Sequence, residues 1–319
     1  MKEFQIIEKY FAELGPKRKD VAVGIGDDCA LVNPAEGNSI AISCDTLVEG
    51  THFLPSMPAE DLGYKSLAVN LSDLAAMGAE PAWMTLALTL PEIDETWLEG
   101  YCKGLYEISE YYGIALVGGD TTHGSKSLTL TVNGLVPTQM AMTRSGAKIG
   151  DWIYVTGTIG DSALGLDILL DKQQIENQSH KDYLVKRHYR PTPRVLAGQA
   201  IRGIASSAID LSDGLGSDLK HINKASCTGA RIDVDALPLS EALVDSVGKE
   251  HAIEYAISGG EDYELLFTVS DANESSLITS LKQTGVPFTK VGQITSGTEL
   301  TFKQGKLNYH PVKQGFKHF

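Results

Sequence analysis

The sequence lacks the signatures of the common nucleotide-binding and nucleophilic enzymes. It contains no Gly-x4-Gly-Lys-Ser/Thr loop, no HRD or DFG set, and no G-x-G-x-x-G that opens a helix after a strand. It also shows no serine or cysteine in a nucleophile elbow. These absences exclude P-loop, protein-kinase and Rossmann dinucleotide sites, because each of those sites depends on its motif to hold phosphate.

Cysteine and long apolar runs are scarce as well. There are four cysteines, and no pair of them has the C-x-x-C spacing that is typical of zinc sites. No apolar run is long enough for a membrane span, and the N-terminal segment lacks an apolar signal-like stretch. We therefore expect ordinary reduced thiols and a cytoplasmic location.

Positive charge is the third deficit. Lys and Arg number 27 against 41 Asp and Glu, which gives a formal net charge of −14. This balance argues against a sequence-independent nucleic-acid binder, which needs clustered cations. It does not exclude ATP, because a bound metal ion can invert the local field.

The 319 residues suit two domains. The first part reads β, α, β, α, β, β, which predicts helices packed on one face of a mixed sheet. We predict an α+β fold with an N-terminal domain at 1–137, a linker at 138–150 and a C-terminal α/β sandwich domain at 151–319. The periodicity and the turn residues predict helices over Glu3–Leu14, Ala59–Met77, Asp94–Tyr112, Tyr183–Arg187, Pro193–Ala205, Ser217–Ala225 and Leu239–Val247. They predict strands over Ser39–Thr46, Ala82–Leu90, Ile114–Val117, Ser127–Val136, Trp152–Thr156, Ala208–Leu211, Ala230–Val234, Glu264–Val269 and Lys290–Ile294.

Acidic residues in glycine- or serine-bearing loops are the most informative feature of the chain. The five clusters are GIGDDC, SCDT, NLSDLAAMG, GGDTT and DLSDG, which begin at residues 24, 43, 70, 118 and 210. Two carboxylates about 4 Å apart repel each other by roughly 4 kcal/mol at an effective dielectric near 20. If the clusters converge, they need cations, and hard oxygen ligands without a His or Cys set indicate Mg²⁺ rather than zinc.

Each cluster also has a plainer interpretation. Asp27 and Asp28 suit a surface turn, Asp45 suits a solvent-facing strand end, and Asp120 after two glycines suits a turn that follows a strand. Asp213 or Ser212 could cap the helix that follows DLSDG, and Asp161 or Ser162 could cap a helix further upstream.

Asp73 is the exception among the acids. It lies late in a predicted helix among leucines and alanines, where capping cannot explain a carboxylate. Strand alternation places Ser43 and Asp45 on one face and Cys44 on the other. Isolated candidates are His52 in EGTHF, Arg144 in TRSGAK, and Glu261 with Asp262 in SGGEDYEL.

The residues of these segments and their order along the chain resemble those of the thiamine-monophosphate kinases, in the superfamily that includes aminoimidazole ribonucleotide synthetase. The matching segments include GIGDDCAL, AISCDTLVEGTHF, LVGGDTT, IDLSDGL and SGGEDYELLFTV, and together they extend over most of the chain. The resemblance implies an ATP-dependent kinase that converts thiamine monophosphate to thiamine diphosphate with several Mg²⁺ ions. It also implies a homodimer whose N-terminal sheets join into a barrel.

The resemblance assigns roles to individual residues. Arg144, Asp210 and Asp213 are implied to be catalytic, while His52, Glu261 and Phe316 are implied to line the thiamine phosphate site. The implied ATP contacts are Ser43, Gly119, Asp120, Arg144 and Ser212. The implied metal ligands are Asp28, Cys44, Asp45, Asp73, Asp120, Asp210 and Asp213.

One residue departs from the family pattern, and two other functions stay open. Cys44 stands where the family usually has a hydroxyl, and a thiol is a poor Mg²⁺ ligand, so any contact there has to use the backbone carbonyl. The first alternative is an ATP-dependent synthetase of the same superfamily. The second is a divalent-cation or nucleotide-binding module without catalysis.

Overall fold

The structure, a computed structural model, describes residues 3–312. Within this range the chain forms two compact units. The first comprises the residues up to Leu74 together with Ala79–Gln139, and the second comprises Ala75–Gly78 and the residues from Met140 onward. Among the described helices, none combines the length and the apolar character needed to cross a membrane.

The helices begin and end where their capping residues allow. The Asp94 side chain accepts hydrogen bonds from the amides of Thr96 and Trp97, and Gly113 ends the same helix with φ 66°. The helices are α1 Glu3–Ile6, α2 Ala59–Ala76, α3 Glu95–Tyr112, α4 Asp161–Leu169, α5 Gln178–Tyr189, α6 Val195–Ala200, α7 Leu215–Ser226, α8 Glu241–Val247, α9 Lys249–Ser258 and α10 Glu274–Lys282.

The strands of the described residues form a small hairpin and two larger sheets. The strands are β1 Val21–Val23, β2 Leu31–Val32, β3 Asn38–Val48, β4 Glu80–Leu90, β5 Ala115–His123, β6 Ser127–Pro137, β7 Trp152–Thr156, β8 Ser207–Asp210, β9 Gly229–Asp233, β10 Leu265–Val269, β11 Phe288–Thr295, β12 Leu300–Gln304 and β13 Leu307–Tyr309. The hairpin pairs β1 with β2.

The sheet of the first unit is mixed. Its order is β3-β6-β4-β5, with β3 and β4 antiparallel to β6 and with β5 parallel to β4. Leu128, Leu130 and Val132 of β6 are fully buried, and the residues between them are only partly buried. This alternation places an apolar layer on one face of the sheet.

Helix α2 lies on that apolar face, and α3 packs against α2. The two helices approach closely at two glycines: a Cβ on Gly63 would lie 2.0 Å from the Tyr101 carbonyl oxygen, and one on Gly104 would lie 1.8 Å from that of Glu60. Any larger side chain at either position would separate the helices. Hydrogen bonds from Ser43 to Asp73 and from the Asp45 amide to Asn70 place α2 over strand β3.

The sheet of the second unit has the order β13-β12-β9-β11-β7-β10-β8 and is antiparallel except between β12 and β9. One face packs Ile153, Ile209 and Leu266 against α7 and α9 in a continuous apolar core. On β7 and β10, Tyr154 and Phe267 stack with ring centroids 5.6 Å apart. This layered arrangement holds the end of β8, which carries Asp210.

The predicted fold class, α+β with a mixed N-terminal sheet, is confirmed, while some elements differ. The first helix ends earlier than predicted, because α1 passes into a π-helical turn over Ile7–Phe11. Helix α6 is shorter than the predicted Pro193–Ala205, and α9 and α10 were not predicted. The domain boundaries at 137 and 150 stay a prediction.

Candidate active site

In the first unit, two carboxylates meet between β3 and α2. Asp73 accepts a hydrogen bond of 2.5 Å from Ser43 Oγ, and the amide of Asp45 donates to Asn70 Oδ1 at 3.1 Å. Burial raises the pKa of Asp45 to about 6, and the charge of Asp73 together with a hydrogen bond between the two side chains adds to the rise. The structure therefore brings Ser43, Asp45 and Asp73 together, as the sequence indicates.

Cys44 lies on the opposite face of β3. Its Sγ accepts a hydrogen bond of 3.4 Å from Thr131 Oγ1, and the residue is exposed. The thiol is thus directed away from the Asp45 carboxylate by strand alternation. Any contribution of Cys44 to a metal site next to Asp45 would come from its backbone.

Asp120 corrects the sequence prediction. The preceding strand was predicted to end at Val117, with a turn as one interpretation of GGDTT, but β5 continues through Gly118, Gly119 and Asp120 to His123. The glycine is needed because a Cβ on Gly119 would lie 1.9 Å from the Leu86 carbonyl oxygen. Asp120 is exposed on this edge strand, whereas Asp45 lies on β3 at the other edge of the sheet.

Two further predicted residues of the first unit lie in loops. Asp28 is exposed between β1 and β2, and its amide donates to Asp27 Oδ1 at 2.8 Å. His52 follows β3, and its Nδ1 accepts a hydrogen bond of 3.1 Å from the amide of Val48. Because Nδ1 is the acceptor, the neutral ring carries its proton on Nε2, which makes Nε2 a donor suited to a phosphate oxygen.

In the second unit, the DLSDG segment forms the turn between β8 and α7. Asp210 is buried at the end of β8, and Ser212 and Asp213 are partly buried. The prediction that Asp213 could cap the following helix is wrong: the N-cap is Gly214, and no side chain caps the helix there. The two acids are therefore not explained by helix capping.

Asp218 joins this group and was missed by sequence analysis. Its Oδ2 accepts a hydrogen bond of 3.1 Å from the amide of Asp213. Burial, followed by the charge of Asp210, raises the pKa of Asp218 to about 8. The available signal was an aspartate on the apolar side of α7, between Leu215 and Leu219, which are both buried.

The loop that carries Glu261 pairs with the DLSDG turn through its backbone. The amide of Glu261 donates to the Ser212 carbonyl at 2.8 Å, and the amide of Tyr263 donates to the Leu211 carbonyl at 2.9 Å. The structure thus places Glu261 beside Ser212 and Asp213. The predicted substrate residue and the predicted phosphate residues of this unit belong to one loop pair.

Asp262 performs the capping that was predicted for Asp161 or Ser162. Its carboxylate accepts hydrogen bonds from the amides of Gly160 at 2.6 Å and Ser162 at 3.1 Å, at the N-terminus of α4. Gly160 is the N-cap residue and has no side chain to contribute. The helix is therefore capped by a residue about 100 positions away, which no local pattern could show.

Glu264 is a second buried acid that sequence analysis missed. It is fully buried and accepts two hydrogen bonds of 2.6 Å from Arg194, one of 3.0 Å from Arg187 and one of 2.7 Å from Thr156 Oγ1. A bidentate arginine with a hydroxyl partner satisfies a buried carboxylate. Glu264 therefore fixes the start of β10, next to the Glu261 loop.

The last two predicted residues are Arg144 and Phe316. Arg144 is exposed, and its carbonyl accepts a hydrogen bond of 3.2 Å from Ser226 Oγ at the end of α7. Phe316 lies outside the described residues, so its role stays a prediction.

The donor set fits Mg²⁺ rather than a metal enclosed by protein alone. Within residues 3–312, no group of three or more His, Cys, Asp or Glu side chains could hold a metal ion by itself. Mg²⁺ is commonly held by one or two carboxylates together with water and substrate phosphates. The charge of Asp73 contributes to the raised pKa of Asp45, and a divalent cation bound between the two carboxylates would relieve that repulsion.

Comparisons with known proteins agree on one family. The family model for the N-terminal domain of AIR synthase related proteins matches residues 26–136, and the model for their C-terminal domain matches residues 148–304. The chain is 58% identical over 297 residues to the thiamine-monophosphate kinase of Escherichia coli K12, covering 93% of this chain and 91% of that protein.

Solved structures give the same answer. The crystal structure of thiamine-monophosphate kinase from Stenotrophomonas maltophilia K279a is 42% identical with a TM-score of 0.86, covering 90% of this chain and 92% of that chain. AaThiL, complexed with AMPPCP and TMP, is 32% identical with a TM-score of 0.79, covering 90% of this chain and 89% of that chain.

The Asp262 cap predicts a pH dependence of stability. Burial raises the pKa of Asp262 from 3.8 to about 7, and the nearby Arg187 only partly opposes the rise. Between these two values the folded state holds a proton that the unfolded state has lost, so the free energy of unfolding falls as pH rises. We expect the stability of the wild type relative to Asp262→Asn to fall by on the order of 2–4 kcal/mol between pH 4.5 and pH 8.

Urea unfolding of both proteins at the two pH values measures this difference. Asp171→Asn is the matched control, because Asp171 is exposed and has φ 55°, a conformation that asparagine also adopts. The stability of that variant relative to wild type should not change with pH. A wild-type advantage over Asp262→Asn that grows toward pH 8 would contradict the assigned pKa direction.

Proposed function

The chain belongs to the thiamine-monophosphate kinases of the AIR synthase-related family, and we propose that it transfers the γ-phosphoryl group of ATP to thiamine monophosphate. The products are thiamine diphosphate and ADP. The observation that carries this conclusion is the 58% identity to a kinase of that name over 93% of the chain. A relative of the same fold, AaThiL, has been solved in complex with AMPPCP and TMP, which supports ATP and thiamine monophosphate as the two substrates here.

The reaction requires no covalent intermediate with the protein. The acceptor is a phosphate oxygen that is already anionic near neutral pH, so direct in-line transfer needs no strong general base. The difficulty is repulsion between two polyanions, and positioning with electrostatic stabilisation is the remedy. We propose that Arg144 contributes positive charge to the ATP phosphates, with Ser43, Gly119, Asp120 and Ser212 along the nucleotide.

Mg²⁺ would supply charge neutralisation of the phosphates when it is bound. The residues proposed to hold it are Asp28, Asp45, Asp73, Asp120, Asp210 and Asp213, with Cys44 contributing at most a backbone contact. Within the first unit, Ser43 holds the Asp73 carboxylate and Asn70 holds the backbone of Asp45. The first hydrogen bond fixes the Asp73 carboxylate, and the second fixes the backbone from which the Asp45 side chain projects.

The acceptor site is proposed to use His52, Glu261 and Phe316. Nε2 of His52 is the donor nitrogen of the neutral ring, because Nδ1 accepts from Val48. That donor suits a phosphate oxygen, and Phe316 would stack on a ring of the substrate. Glu261 lies beside Ser212 through the backbone pairing of their loops.

All four cysteines are free thiols, and we propose a cytoplasmic location for the enzyme. This is the compartment in which thiols stay reduced. Recovery of the native protein from a periplasmic rather than a cytoplasmic fraction would contradict this location.

We expect ADP release only when thiamine monophosphate is present. A coupled assay with thiamine monophosphate, with thiamine and with no acceptor, run in parallel on the purified protein, measures it. One thiamine diphosphate should form for each ADP. Production of aminoimidazole ribonucleotide, in a separate assay that supplies ATP and the synthetase's own amide substrate, would support the synthetase alternative. Nucleotide binding without turnover would support a non-catalytic module.

Asp73→Asn should separate stability from activity. Replacing one of two contacting carboxylates removes repulsion, so the Mg²⁺-free variant should melt about 2–4 °C above wild type, equivalent to about 1 kcal/mol. Loss of a metal-holding carboxylate should lower kcat by about 100-fold at saturating Mg²⁺. Calorimetry and the ADP assay measure the two effects, with Asp171→Asn as the control; a normal kcat would remove Asp73 from the site.

The homodimer is proposed from the open face of the first sheet. Ile40 is 43% exposed and Ile42 is 67% exposed on β3, an edge strand of 11 residues. A long, exposed, apolar edge strand favours pairing with another chain. A second copy would also allow Asp45 and Asp120, which lie at opposite edges of one sheet, to face a common pocket.

We expect Ile42→Glu to convert a dimer into a monomer, because it places a charge in the proposed contact. Sedimentation velocity at micromolar concentration measures the change, and the variant should lose kinase activity together with the dimer. Leu307→Glu is the matched control, since Leu307 is 75% exposed on β13 of the other unit. A monomeric wild type with full activity would overturn the dimer proposal.

A further inference from the structure

We propose that His188 is a positioning residue that orients the Glu261 carboxylate toward the acceptor, with Ser162 fixing the imidazole ring. The inference rests on the proposed function, in which Glu261 belongs to the thiamine phosphate site. It adds Ser162 of α4, which the sequence offered only as a helix cap, and His188 of α5, to which sequence analysis assigned no role.

The backbone of Glu261 is held in a costly conformation. Its φ is 65° and that of Tyr263 is 53°, in the left-handed region. For residues other than glycine this region costs roughly 1–2 kcal/mol each. Such strain persists only where the surroundings fix the chain, and it concentrates at functional sites.

The surroundings that fix this loop are visible on both sides of Glu261. Gly260 and Glu261 lie against the DLSDG turn, where a Cβ on Gly260 would be 2.5 Å from the Ser212 carbonyl oxygen. Asp262 is bound to the amides of Gly160 and Ser162, and Glu264 is bound to two arginines. The backbone is therefore immobilised around a side chain that remains 27% exposed.

His188 is the buried group that contacts this side chain. Its Nδ1 lies 3.4 Å from Glu261 Oε2 and 3.1 Å from Ser162 Oγ, and the His188 side chain is only 4% exposed. A carboxylate only accepts hydrogen bonds, so the Glu261 contact requires a proton on Nδ1 of His188. In that state His188 donates toward Glu261 and restricts the rotation of its carboxylate.

The position of His188 depends on a close contact between α4 and α5. A Cβ on Gly165 would lie 2.2 Å from the Leu184 carbonyl oxygen and 3.1 Å from His188 Cβ. Glycine at 165 therefore lets α5 approach until the imidazole reaches Ser162. Two helices with no other assigned role in the reaction thus hold one ring against Glu261.

Contacts that join Ser162, His188 and Glu261 also suggest a catalytic triad with Ser162 as the nucleophile, but the geometry argues against one. Ser162 is fully buried, and its amide is bound by Asp262. A nucleophile must reach its substrate. Ser162 is buried and Glu261 is partly exposed, so Ser162 and His188 support the position of Glu261.

His188→Leu tests the proposal because it fills much of the ring volume without a donor. We expect the KM for thiamine monophosphate to rise about tenfold, as for loss of one hydrogen bond to a charged group, while kcat and the KM for ATP change less than twofold. His188→Asn places an amide near the Nδ1 position and should recover most of the KM. His180→Leu, the same change in the same helix, is the control and should resemble wild type.

A double-mutant cycle separates positioning from general structural damage. In a Glu261→Ala background, His188→Leu should have no further effect on the KM for thiamine monophosphate, because the group it orients is gone. Equal effects in both backgrounds, or equal changes in the KM for ATP, would overturn the inference. Absence of thiamine monophosphate turnover in the wild type would instead refute the proposed function, so the two failures are distinguishable.

Discussion

Burial, together with repulsion between neighbouring carboxylates, is the constraint that governs the candidate acidic groups of each unit. In the first unit, Asp45 contacts Asp73, and the pKa of Asp45 rises to about 6. In the second unit, Asp218 lies close to Asp210 and Asp213, and its pKa rises to about 8. In each case burial is the largest cause and a neighbouring carboxylate adds to it. A fold that keeps such groups together in a chain of net charge −14 is suited to a cationic ligand.

Glu264 shows what a satisfied buried carboxylate looks like in the same chain. It accepts hydrogen bonds from two arginines and a threonine hydroxyl. Its partners are donors from the protein itself, so it has a structural role in fixing the loop. The contrast separates acids that support the site from acids that leave capacity for a metal ion and phosphates.

The sequence predicted what depends on local chemistry. Asp94 and Gly113 bound α3 as their capping preferences indicate, and strand alternation placed Asp45 and Cys44 on opposite faces of β3. Asp73 was identified because a carboxylate among leucines late in a helix has no local explanation. Local patterns failed where the decisive partner is distant: the cap of α4 comes from Asp262, and β5 continues through two glycines because β4 pairs with them. For the same reason Glu264 and His188 gave no signal, since their roles depend on contacts between elements far apart in the chain.

The strained loop at Glu261 links stability to function in the second unit. Its left-handed residues cost folding free energy, and the hydrogen bonds that Glu264 accepts on its C-terminal side hold the chain in place. A relaxed loop would not need the buried charge of Glu264, because charged side chains are rarely placed in a core without a compensating role. The arrangement is explained if the exact direction of one carboxylate matters more than the stability lost in holding it. Glu261 is the residue at that position, and the imidazole of His188 is the contact through which α4 and α5 support it.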